Sequence, residues 1–118
     1  MSQLEKNIEE VELTIAEARK IVEYGTVVRR LIDNPDFKKV VTDDYFVEEA
    51  ARLALLYSDP SINKDQARMI NNDLLGLGAF KRYIQTKLQM ANNMAYEMEQ
   101  QMETLQELHE EDLMGESE

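Results

Sequence analysis

Four methionines at four-residue spacing, Met90, Met94, Met98 and Met102, are the most unusual arrangement in this sequence. Thioethers ligate Cu(I), but such sites draw on thiolate or imidazole support, and the chain has no cysteine and a single histidine, His109. The ladder therefore reads as a flexible apolar stripe rather than a metal site. Four-residue steps drift by about 40° each around a helix, so the stripe begins off an apolar seam at Met90 and Met94 and joins it at Met98 and Met102. Such a stripe fits either a hairpin core or an interface with an assembly partner. The core reading comes first because apolar stripes generally pack within their own chain.

The remaining candidates for chemistry are weaker. One histidine excludes any site needing two imidazoles, and no Ser-His-Asp set has a convincing context. Gln106 stands where the Glu-x-x-His spacing of a di-iron bundle would need a carboxylate before His109, which reads instead as a solvated side chain among acids at a frayed helix end, in register with the seam. Gly76-Leu77-Gly78 is followed by Ala79-Phe80-Lys81, which matches neither a phosphate loop nor a dinucleotide fingerprint. Neighbouring carboxylates at Glu9-Glu10, Asp43-Asp44, Glu48-Glu49 and Glu110-Glu111-Asp112 point about 100° apart on a helix, so they do not share a proton. The residues predict no enzyme, no cofactor and no metal.

The elements that carry these residues are helices. Ser2 and Glu5 form a capping box, and Leu4, Ile8, Val11, Ile15, Ala18 and Val22 then step by 4, 3, 4, 3, 4, a heptad seam. The pattern shifts near Gly25 and continues to Asp33-Asn34-Pro35, giving a first helix over 2–33, about 45 Å long. Asn34 and Pro35 open a short helix over 35–41. Thr42, followed by Asp43 and Asp44, caps another over 43–57, with Phe46, Ala50, Leu53 and Tyr57 on its core face and Val47, Ala54 and Leu56 widening it. Asn63 and Gln66 open a last helix over 64–112, in which Gly76 and Gly78 invite a bend and Ile84, Leu88, Ala91, Ala95, Met98, Met102 and Leu105 continue the heptad. Residues 1–112 are thus expected to form a single all-α domain, a long helical hairpin or coiled coil with the short central helices capping one end, and 113–118 a disordered acidic tail.

Composition agrees with this outline. A chain of 118 residues with 4 glycines and 2 prolines turns too seldom to build a sandwich or barrel. The start lacks the flank and apolar run of a signal peptide, and no window of about 18 uncharged apolar residues exists, so a cytoplasmic, membrane-free protein is expected. Net charge is −11, which argues against direct nucleic-acid binding. Residues 88–118 hold nine acids and no Lys or Arg. That stretch is either a solvated helix end or an acidic surface, carried by Glu97, Glu99, Glu103, Glu107, Glu110, Glu111 and Asp112, that meets a basic partner. The basic doublets Arg29-Arg30, Lys38-Lys39 and Lys81-Arg82 would cluster if the central helices fold together.

Short words from Asp33-Asn34-Pro35-Asp36-Phe37 through Asp44-Tyr45-Phe46, Glu48-Glu49-Ala50-Ala51-Arg52-Leu53 and Ser58-Asp59-Pro60 to Asn72-Asp73-Leu74 and Gly78-Ala79-Phe80 resemble those of small acidic helical proteins of tailed bacteriophages. The resemblance covers about residues 33–83 and implies a product of the structural or head-assembly region of a phage genome, located in the host cytoplasm or the virion. It carries no catalytic residue across. Together these readings predict a non-enzymatic helical assembly protein that contacts itself as a homo-oligomer, and another assembly protein, through Ile8, Val11 and Ile15 on the first helix and Met94, Met98 and Met102 on the last. The competing reading is an acidic inhibitor whose seven carboxylates stand in for DNA phosphates.

Overall fold

The computed structural model describes residues 2–117, and among them there is no strand. The chain runs as α1 (Gln3–Asp33), α2 (Pro35–Phe37), a wide-turn π-helical segment (Lys38–Glu49), α3 (Ala50–Tyr57) and α4 (Lys64–Ser117), so the protein is all-α with the element order of a helical hairpin. The starts of α1, α2 and α4 carry the chemistry their sequence announces. Ser2 Oγ accepts from the Glu5 N–H at 3.0 Å while the Glu5 carboxylate accepts from the Ser2 N–H at 3.3 Å. Asn34 Oδ1 accepts from the N–H groups of Asp36 and Phe37 at 2.9 and 3.2 Å. Asn63 and Gln66 exchange hydrogen bonds of 2.8 and 3.1 Å, and Asp59 binds both the N–H and the hydroxyl of Ser61 in the turn before α4.

Two boundaries differ from expectation. Helical backbone passes without interruption from Pro35 to Tyr57, so Thr42 does not open a new helix. No Gly or Pro stands between Asp36 and Tyr57 to force a break, and Thr42 lies half-buried inside the π-helical segment. Helix α4 likewise continues to Ser117 through residues expected to form a tail, with no proline to stop it; Glu118 lies outside the described residues. It also runs through Gly76 and Gly78 without interruption.

Contacts group the chain into two compact units: Met1–Thr26 with Gln89–Glu118, and Val27–Leu88. The first contains only the opening part of α1 and the closing part of α4. Side chains of Glu12 and His109 lie 3.9 Å apart, and Gly25 meets Ala91, so the two helices of this pair run antiparallel. Ile15 and Ala18, 6% and 5% exposed, have no element but α4 to cover them within the unit. In the second unit, Val28, Leu53 and Leu77 are buried where the end of α1, α3 and the start of α4 meet. Tyr45, Phe46 and Phe80 add a tilted aromatic cluster, Phe46 and Phe80 having ring centroids 5.5 Å apart.

Gly25 marks a close approach in the first unit: a Cβ built there would stand 2.1 Å from the Ala91 Cβ. A Cβ at Gly78 meets nothing within 4 Å. Gly25→Ala is therefore expected to destabilise the fold by about 1–3 kcal/mol through overpacking, with recovery in the Gly25→Ala/Ala91→Gly double variant. Gly78→Ala should instead stabilise by roughly 0.5–1 kcal/mol, because the helix gains a better former at no steric cost. Thermal unfolding followed by circular dichroism reads all three, and a neutral Gly25→Ala would contradict the close approach.

Candidate functional site

Two tracks of inward residues organise the first unit. On α1, Leu4, Val11, Ala18 and Gly25 recur every seven residues, with Ile8, Ile15 and Val22 four positions after the first three; all are buried or half-buried. On α4, Ala91, Met98 and Leu105 recur every seven, and Asp112 continues the track half-buried. The companion positions are Met94, Gln101 and Leu108, three residues after each, also half-buried. Sequence reasoning extended the earlier four-residue offset of Ile84 to Leu88 and so placed Ala95 and Met102 inward. The offset changes at Ala91, and both are exposed, Met102 at 42%. The swap follows from what each part of α4 must cover: before Gln89 it packs in a unit with the short central helices, and after it only α1 is available.

The interaction residues expected from sequence thus divide. Ile8, Val11, Ile15, Met94 and Met98 lie on the inward tracks of the first unit, while Met102 does not. Met90 and Met102 flank the seam, both exposed, so the ladder is half core and half surface. His109 is likewise off the seam, where Leu108 takes its place, and it faces Glu12 as an ion pair only when protonated; with both groups half-exposed the contact contributes little. Glu97, Glu99, Glu103, Glu107, Glu110 and Glu111 are exposed, and Asp112 is turned partly inward. Among the described residues no group of three or more His, Asp or Glu side chains is placed to hold a metal.

The second unit presents what the sequence did not announce. A groove lined by Ile32, Phe37, Thr42, Phe46, Ile84 and Leu88 has Lys81 and Gln85 at its edge. Phe37, Thr42 and Phe46 share it because the wide i→i+5 turns bring residues five and four apart to one side, a register that an α-helical reading of this stretch does not generate. The seven-residue recurrence Ile70, Leu77, Ile84 was the available signal for the α4 side, and all three are buried or half-buried. A second groove, between α3 and the start of α4, is lined by Leu53, Leu56, Ile62, Met69 and Ile70 with Arg52, Gln66 and Asp73 around them. Arg52 donates to Glu49 through Nε at 3.0 Å and through a second nitrogen, which holds the Glu49 carboxyl below its ordinary range and raises the guanidinium. Asp59 is also lowered, by the Ser61 backbone N–H and then its hydroxyl.

Charge follows the same division. The first unit carries three Lys and Arg against fifteen Asp and Glu, net −12, and the second ten against nine, net +1. Comparison with family models, curated proteins and solved structures finds no match for this chain. No helix is long and apolar enough to cross a membrane among the described residues.

Putting aspartate at both Ile8 and Ile15 is expected to open the first unit, since each apolar side chain moved out of water contributes about 1.5–3 kcal/mol and a carboxylate there has no partner. Far-ultraviolet circular dichroism should lose helical signal and the melting temperature should fall. Retention of both would mean that the seam is not what holds the pair.

Proposed function

We propose that the protein is a non-enzymatic helical assembly factor that works through helix–helix contacts with copies of itself and with another assembly protein. The observation that carries the reading is the excess of apolar surface left uncovered. Large apolar side chains such as Val40, Val47, Leu55, Met69, Leu75 and Tyr96 are more than half exposed. Scattered exposed residues are ordinary, but here the second unit of an all-helical scaffold also carries open apolar grooves, one of them lined by Met69. The resemblance of residues 33–83 to small acidic helical phage proteins supports a place in virion or head assembly, scaffolding or packaging.

The −12 of the first unit favours a second reading, an acidic inhibitor that presents carboxylates in place of DNA phosphates. Light scattering separates the two. The full chain is expected to exceed its 13.7 kDa monomer mass as concentration rises. A variant with Glu97, Glu99, Glu103, Glu107, Glu110 and Glu111 changed to Gln and Asp112 to Asn should keep that assembly. A chain that stays monomeric throughout, and needs those acids to hold a basic DNA-binding protein, contradicts the assembly reading.

A further inference from the structure

The groove walled by Phe37, Phe46, Ile84 and Leu88 differs in charge from neighbouring recesses of the second unit. Those include Asp44, Glu49 or Asp73, whereas its lining holds no carboxylate and one cation, Lys81. Its other polar members are Thr42 and Gln85. Among the described residues the Lys81 ammonium has no ion pair. The Thr42 hydroxyl is likewise unengaged there, although Thr14, Thr26 and Thr104 each donate to the carbonyl four residues back. A free cation and a free hydroxyl thus sit on an otherwise apolar groove, the make-up of a small-molecule site. One wall is the π-helical segment, a backbone form that is rare in proteins and frequent at functional sites.

We infer that this groove binds a medium-chain aliphatic carboxylate, with its anionic head on Lys81 and its tail against Phe37, Phe46, Ile84 and Leu88. The sign of the head follows from the lining: an unpaired ammonium with no acid beside it attracts an anion, and the bond it donates to a carboxylate is charge-assisted. The length of the tail follows from α4. Lys81 and Leu88 stand two turns apart on that helix, about 10 Å, which an extended chain of about eight carbons spans at ~1.3 Å per carbon. Volume agrees. The groove holds about 190 Å³, above the roughly 150 Å³ that takes a benzene-sized apolar guest. A bulkier ligand, or one of opposite charge, has no such match here.

The inference goes beyond the assembly reading and does not rest on it. Isothermal titration calorimetry of the full chain with sodium octanoate tests it, with octanol, octylammonium and butyrate as comparison probes. Octanoate is expected to bind once per chain, roughly tenfold tighter than octanol, which keeps the tail and loses the charge. Butyrate, four methylenes shorter, should bind on the order of 100-fold more weakly, and octylammonium should not bind. Lys81 is exposed, so its replacement leaves the helical signal unchanged. Lys81→Gln should lower octanoate to the affinity of octanol without altering octanol itself, and Lys81→Glu should make octylammonium the preferred probe. Octanol or octylammonium binding as tightly as octanoate, a Lys81→Gln variant indifferent to the change, or no saturable heat at millimolar octanoate overturns the inference. So does a chain whose oligomeric mass shifts with Lys81→Gln while octanoate binds nowhere, since another protein chain then fills the groove.

Discussion

Where Gly25 meets Ala91, the backbones of α1 and α4 come close enough that a methyl group would not fit between them. That approach depends on two small residues facing each other, and it sets how deeply the flanking side chains interdigitate. Ala18 and Ile15 are sealed off about two and three turns back along α1. Beyond them the seam loosens to half-buried Val11, Ile8 and Leu4, against a face of α4 that includes Gln101 and Asp112 among its apolar members. Two helices alone bury only one stripe each, so the pair spends its best apolar residues on itself.

The seam therefore limits function as well as fold. Residues that look suited to joining chains are already engaged within one, and the exposed charge of the first unit is predominantly carboxylate. The second unit has nearly balanced charge and apolar-lined grooves, while both units expose apolar side chains, such as Leu13 and Tyr96 on the first and Leu55 and Met69 on the second. Electrostatics thus sorts the surface into a part that repels its own kind and a part that does not.

Much of this was legible in the residues. Capping pairs at Ser2/Glu5, Asn34/Pro35 and Asn63/Gln66 mark helix starts because short polar side chains satisfy the same orphan N–H groups wherever they occur. The α1 seam was readable because each of its inward positions is apolar apart from Gly25. On α4 the seam passes through Gln101 and Asp112, while Ala95 and Met102, apolar and one residue away, point outward; side-chain type there misleads, and only the seven-residue recurrence holds. The π-helical stretch was not legible, since nothing local distinguishes i→i+5 from i→i+4 bonding at Thr42, and so the groove it forms with Phe37 and Phe46 was missed. Charge partition was half visible: the acids of 88–118 stand out, but those of α1 join them only once the helices pair.

Whether the seam closes within one chain or between two is the claim from which the rest follows, and the absence of cysteine makes it directly measurable. Glu12→Cys and His109→Cys, placed together in one chain and joined by a short bis-maleimide, report on the side chains that lie 3.9 Å apart. The account predicts a cross-linked product that keeps monomer mass on a denaturing gel at every protein concentration. Covalent dimers as the main product, increasing with concentration, would contradict it.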